Sequence, residues 1–355
     1  MKILFISHTF PPITGGVETQ NYELSKALAK IAEVKLIANR KRWLILPFLL
    51  YSAIRALVSI RKYDVVVLGS CLLGFVGWTI KVFTDKPVLA VAHGLDLTWK
   101  NKIYQKLWLG IFIPKIDKLI AVGNETIRVA KTKGIAAEKL VFIPNGVNLE
   151  NHAGNFSRAD IEKLIGEKLA GRKVILTSGR LAKRKGVAWF IHNVMPKLSE
   201  NIIYIIAGNG PEKENIAAAI KENNLSSRVK ALGYVTDPER DMLFNTCDIF
   251  VQPNIKIPGD MEGFGISVIE AAYCGIPVIA SNLEGLKDAI KDGQDGFLVE
   301  TGDAEGYVKK INGLLVDDAA RKKFGQKARQ YVADNFSWEK VSQKYLEEIT
   351  KFTKK

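Results

Sequence analysis

Short apolar runs alternating with helix-like stretches constrain this chain more than any other feature. Six runs lie at Lys2–Ser7, Val34–Ala38, Asp64–Ser70, Pro87–Gly94, Lys118–Gly123 and Leu140–Val147. Helical segments begin between them near Gly16, Leu44, Leu72, Lys102 and Asn124. Near-continuous apolar strands separated by helices indicate a parallel sheet covered on both faces. The polar stretch Asn148–Gly171 breaks the rhythm and reads as a linker. Alternation then restarts with Lys173–Gly179, Ile202–Gly208, Val229–Val235, Asp248–Pro253, Pro277–Ser281 and Gly296–Glu300. The 355 residues suit two domains better than one. The expected fold is therefore α/β, with two doubly wound, Rossmann-like domains at residues 1–150 and 151–335. Such domains face each other across a cleft, with ligands at the C-terminal ends of the strands.

Composition narrows the setting. With 47% hydrophobic and 25% charged residues, the chain matches globular proteins that bury real cores. Cys71, Cys247 and Cys274 show no metal-type spacing, which points to structural thiols in a reducing compartment. The apolar N-terminus is too brief for a signal peptide. No uninterrupted apolar run reaches the roughly 18 residues of a membrane span. A cytoplasmic protein is expected. Its net charge of +14 is uneven: residues 1–150 hold 21 Lys and Arg against 10 Asp and Glu, and residues 151–355 hold 30 against 27. The basic first half admits nucleic acid, an anionic membrane surface or a phosphorylated substrate. No recognition motif or stacking platform supports nucleic acid, which is not expected as a partner. The segment from Lys41 to Lys62 is apolar in the middle and basic at both ends. It reads either as an interfacial helix on anionic lipid or as a crossover helix on the first sheet, which its position demands in any case.

The chemistry lies at the strand ends. After the first strand, the loop His8–Glu18 closes on Gly15 and Gly16 at a helix start. It is either a plain turn or a place where backbone approaches a phosphate or sugar. It lacks the Gly-x-Gly-x-x-Gly spacing of a nicotinamide site. His93-Gly94 ends the fourth strand, as a structural residue or a cleft residue. In the second half, Arg180 and Lys185 follow a strand within a run of four cations. That run is either a solvated surface or a diphosphate grip, Arg by its fork and Lys as a point charge. Gly208-Asn209-Gly210-Pro211 follows the next strand. Glu262 and Glu270 bracket the turn Gly263-Phe264-Gly265 and the start of an apolar helix. Free backbone N–H groups at such a turn favour anions, and an acid one to two turns on can accept hydrogen bonds from a diol. Two unrelated surface acids are the plainer reading. Eight helical residues would separate the glutamates by about 12 Å, beyond the roughly 5–9.5 Å of glycosidase pairs.

Read in order, the Gly15-Gly16 loop, His93-Gly94, Pro144-Asn145-Gly146-Val147, Gly179-Arg180 with Lys185-Gly186, Gly208-Asn209-Gly210-Pro211 and Glu262 with Glu270 resemble the family-4 retaining glycosyltransferases of the GT-B fold. The resemblance spans nearly the whole chain. It implies a nucleotide-sugar donor, UDP- or GDP-linked, bound mainly by the C-terminal domain. It also implies an acceptor, lipid-linked or phosphorylated forms among those allowed, bound mainly by the N-terminal one. Arg180 and Lys185 match the diphosphate-binding pair, and Glu270 matches the carboxylate on the ribose hydroxyls. Glu262 and His93 match residues beside the donor sugar. Gly16, with Gly15, matches a loop meeting the phosphates; backbone around Gly208, Asn209, Gly263, Phe264 and Gly265 completes the donor site. No metal or other cofactor is implied, because cations fill that role. Residues 336–355, opening Phe336-Ser337-Trp338, resemble a C-terminal helix that crosses back to the N-terminal domain. The strand end Ala121-Val122-Gly123 departs from the pattern, since many relatives carry a Ser within it, and this puts the acceptor side in doubt. Glycoside hydrolysis and a basic nucleic-acid-binding protein remain the alternative functions. Peripheral attachment to the cytoplasmic face of a membrane is compatible with all of this.

Overall fold

A computed structural model describes residues 1–149 and 156–353; the 150/151 boundary expected from sequence lies outside them. The chain divides into two compact units. The first comprises residues 1–146, 259–264 and the stretch from Phe336 onward, and the second 147–258 and 265–335. All twelve expected strands form, each within a residue or two of its sequence range except the sixth, which stops at Phe142.

The first unit is built on a six-stranded parallel sheet of order β2-β1-β3-β4-β5-β6. Its strands are β1 (Lys2–Ser7), β2 (Glu33–Ala38), β3 (Val65–Leu68), β4 (Val88–Ala92), β5 (Lys118–Ala121) and β6 (Leu140–Phe142). Ile3 to Ile6, Val65 to Leu68 and Val88 to Ala92 are wholly buried, as strands covered on both faces must be. Edge strand β2 alternates instead and keeps Glu33 and Lys35 exposed, which blunts edge pairing. The covering helices are α1 (Gly16–Ala29), α2 (Ile45–Ser59), α3 (Gly74–Phe83), α4 (Leu95–Thr98), α5 (Lys102–Tyr104) and α6 (Asn124–Thr132). A π-helical stretch, Gln105–Phe112, continues α5.

Helix α2 with its flanking turns forms a run, Arg42–Lys62, whose length and composition would suffice to cross a membrane. Arg55 interrupts its apolar residues, so no unbroken span is visible there in sequence. Its Phe48, Leu49, Ala53, Ala56 and Ile60 are buried in the core, so it does pack as a crossover helix.

The second unit has the sheet order β12-β11-β10-β7-β8-β9. Its strands are β7 (Lys173–Ser178), β8 (Ile202–Ala207), β9 (Val229–Gly233), β10 (Ile249–Gln252), β11 (Val278–Ser281) and β12 (Phe297–Val299). The helices are α7 (Arg158–Ile165), α8 (Val187–Asn193), α9 (Lys213–Glu222), α10 (Asp237–Thr246), α11 (Ile266–Tyr273), α12 (Leu286–Ala289), α13 (Ala304–Leu315) and α14 (Asp318–Phe336).

Helix α7 lies inside the stretch expected to be a linker. Ser157 starts it by donating from N and Oγ to Asp160 Oδ2 at 2.7 and 2.9 Å, and Ile161 is buried. Buried Asp248 accepts from Arg158 (3.0 Å), Arg321 (2.8 Å) and Val174 N (2.8 Å), tying α7 and α14 to the sheet.

The last helix, α15 (Trp338–Thr353), belongs to the first unit and packs on α1. Gln20 Nε2 donates to Tyr345 Oη at 3.4 Å, and Lys118 pairs with buried Glu348 at 3.3 Å. Gly146 makes room for the Trp338 ring, since a Cβ there would lie 2.5 Å from it.

Candidate active site

Sheet order places the strand-end loops. In the first unit the order reverses between β1 and β3, and in the second between β7 and β10. Ligands of open α/β sheets bind beyond the C-terminal ends of the strands at such switch points.

In the first unit, His8 follows β1, Gly69-Ser70 follow β3 and His93-Gly94 follow β4. His93 Nε2 lies 2.9 Å from the Gly69 carbonyl oxygen, and His8 Nδ1 lies 2.9 Å from Ser70 Oγ. Burial lowers the pKa of His8 to about 4, with nearby His93 adding to the shift, so His8 is neutral at pH 7. Asp96 fixes this corner. Its Oδ1 accepts from the backbone N–H groups of His93 and Gly94, both at 3.0 Å, and its Oδ2 from Cys71 N at 3.1 Å. A single carboxylate thereby clamps the ends of β3 and β4 together. Gly15 caps α1, and Glu18 one turn on accepts from Thr9 Oγ1 at 2.7 Å.

Residues 259–264 pack onto the same corner. Met261 covers Gly94, Gly259 faces Lys100, and Gly263 sits against the His93 carbonyl with no room for a side chain. Buried Glu262 and Phe264 therefore belong with His93, Gly15 and Gly16, whereas the sequence ranges placed them in the C-terminal domain. Contact at this corner, more than position in the chain, decides the membership of this segment.

In the second unit two loops interlock. Leu181 N donates to the Asn209 carbonyl at 3.0 Å, and Gly208 lies against the Gly179 carbonyl. Arg180 is exposed at the end of β7, while Lys185 is buried in the turn that follows. Gly186, at φ +64°, then presses on the Pro253 carbonyl after β10. This contact joins the β7 and β10 loops at the switch point. Helix α11 starts at Gly265, φ +96°, with no side chain capping its N–H groups. Half-buried Glu270 is the fifth residue of that helix.

Two residues here escaped the sequence reading. Ser267 Oγ donates to Gln252 Oε1 at 2.9 Å, and Gln252 Nε2, buried beside Gly265, has no hydrogen-bond partner among the described residues. Among the described residues no three His, Cys, Asp or Glu side chains cluster as metal ligands would. A cationic loop, an uncapped helix N-terminus and a buried amide donor together suit an anionic ligand.

Comparison with known proteins gives the family. The family model "Glycosyltransferase Family 4" matches residues 30–151, and "Glycosyl transferases group 1" matches residues 160–331. HepE of Anabaena, solved in complex with UDP, superposes with a TM-score of 0.79 over 99% of this chain and 100% of that one, at 20% identity. The chain belongs to the family-4 glycosyltransferases, with the two-domain GT-B fold. This glycosyltransferase is 27% identical over 293 residues to an enzyme of Escherichia coli, UDP-Gal:alpha-D-GlcNAc-diphosphoundecaprenol alpha-1,3-galactosyltransferase. The match covers 79% of this chain and 73% of that one. A GDP-mannose-dependent monoacylated alpha-(1-6)-phosphatidylinositol monomannoside mannosyltransferase of Corynebacterium glutamicum is 25% identical over 95% of both chains. Within the glycosyltransferase, Gly15, Gly16, His93, Glu262, Gly263 and Phe264 fall in the first unit. Arg180, Lys185, Gly208, Asn209, Gly265 and Glu270 fall in the second.

Proposed function

We propose that this glycosyltransferase moves a sugar from a UDP- or GDP-linked donor, with retention of configuration and without a metal ion. Its acceptor is presented at a membrane surface as a lipid-linked or phosphorylated group, and the enzyme works peripherally on the cytoplasmic face. The observation that carries the donor reading is the β7 loop, with exposed Arg180 and buried Lys185 joined through Gly186 to the β10 loop. In this reading Arg180 and Lys185 offset the charge that grows on the leaving diphosphate, an interaction stronger in the transition state than in the ground state. The uncapped N–H groups of α11 add to it. Glu270 grips the ribose hydroxyls, Glu262 and His93 position the sugar, and the Gly15-Gly16 and Gly208-Asn209 backbones meet the donor. The acceptor attacks the face that the phosphate leaves, and the departing phosphate takes its proton. The names of the two relatives, one for a UDP-sugar and a diphosphoundecaprenol acceptor and one for GDP-mannose and a phosphatidylinositol acceptor, support this donor and acceptor chemistry.

A panel of UDP-, GDP- and ADP-sugars, read by nucleoside diphosphate release, tests the proposal. Arg180→Ala should cost about 10²- to 10³-fold in kcat, the scale of losing one transition-state charge partner. Full activity in that variant would sink the assignment. Activity should survive EDTA, and loss that Mg²⁺ restores would overturn metal independence.

A further inference from the structure

We infer that the outward face of α2, continued by the end of α3, is the surface on which this enzyme rests on an anionic lipid bilayer. The inference rests on the membrane-surface reading above and names the contact. Trp43, Leu46, Leu50, Ile54 and Val58 recur every three or four residues and are 77, 73, 60, 62 and 78% exposed. That spacing puts them in one stripe along the helix, with exposed Tyr51 beside it. Val82 and Phe83, at the end of the helix packed on α2, are exposed too. Single exposed hydrophobics are ordinary, but a contiguous patch marks an interaction surface.

Charge chooses the partner. Residues 34–63 carry seven Lys and Arg and no Asp or Glu. Lys41 and Arg42 precede the stripe, Arg55 flanks it, and Arg61 and Lys62 close it, all exposed. A second copy pairing through this face would set like charges against each other. An anionic bilayer neutralises them and receives the apolar side chains between. The opposite side of α2 decides against a span. Phe48, Leu49, Ala53, Ala56 and Ile60 are held in the core of the first unit, so the helix lies on a membrane rather than crossing it.

The test is co-sedimentation of the full chain with vesicles of phosphatidylglycerol mixed into phosphatidylcholine, and with phosphatidylcholine alone. Wild type should sediment with the anionic vesicles and be largely released by high salt. The double variant Leu50→Glu/Ile54→Glu should bind about tenfold or more weakly. Its nucleoside diphosphate release in lipid-free solution should match wild type, which shows that it is folded. Replacing Lys41, Arg42, Arg61 and Lys62 by Ala should weaken binding to the anionic vesicles alone. Wild type that ignores both vesicle types while turning over donor would overturn the membrane reading and leave the transferase reading standing. Equal vesicle binding by the double variant would overturn the assignment of the face. A wild-type dimer that the double variant splits, with no vesicle binding, would give the face to a second copy and overturn the inference.

Discussion

Gly186 and Gly208 have no room for a side chain. Each would push a Cβ into a carbonyl oxygen, that of Pro253 or of Gly179, and each has positive φ. Gly186→Ala should combine left-handed backbone strain of about 1–2 kcal/mol with overpacking of about 1–3 kcal/mol. Because Lys185 precedes it, thermal denaturation should show a lower midpoint and donor titration a weaker affinity. Asp295 makes a separate prediction. Burial raises its pKa to about 7 against the pull of hydrogen bonds from the Lys291 and its own backbone N–H, and Oδ2 lacks a partner among the described residues. Raised above its ordinary value near 3.8, the carboxyl is favoured protonated by the fold. Its stability contribution is full below pH 4 and is lost as pH rises towards 7. Asp295→Asn should therefore melt higher than wild type at pH 8, with the gap closing as pH falls to 4; a constant gap would refute this. Arg180, Lys185 and the glutamates stood out in sequence as candidates because each sits in a short local pattern. Gln252, Asp96 and His8 were not, since their partners are distant in the chain: Asp96 is defined by Cys71, His8 by Ser70, and Gln252 by Ser267.

Elements were legible where burial dictates composition. Strands covered on both faces, such as β1, β3, β4 and β8, read as unbroken apolar runs and were found for that reason. Helix α7 was hidden because its polar surface resembles a linker and only Ile161 is buried. Helix α2 was ambiguous in sequence, since core packing and lipid docking both require an apolar helix; its two faces separate only in three dimensions. Helix α15 depends on the contact between Gly146 and Trp338. Gly146→Ala should cost about 1–3 kcal/mol by overpacking. Adding Trp338→Leu should recover part of that cost, and denaturant titration of the single and double variants measures the coupling. Strict additivity would mean that the two residues do not meet.

At the scale of the molecule, two α/β domains were apparent from the repeated rhythm, but their true membership was not. Unit 1 is closed by residues more than 190 positions after its last strand. Trp338, Val341, Tyr345 and Ile349 are buried there. Burying each such side chain contributes about 1.5–3 kcal/mol; together they approach the roughly 5–15 kcal/mol that holds a whole domain folded. A chain ending at Asn335 should lose the cooperative melting of unit 1 while unit 2 still unfolds as a unit. Circular dichroism and limited proteolysis would separate the two, and an unchanged first transition would refute the assignment.

The short segment 259–264, seated against His93, Gly94 and Lys100, has a consequence for anyone recombining such enzymes. Grafting a foreign second domain at the junction after Gly146 would import its own version of Met261, Glu262 and Gly263 into a corner built by the host. A working hybrid must therefore be cut in four places, and a swap made at one seam alone would fail through mismatches at these six residues and at the closing helix α15.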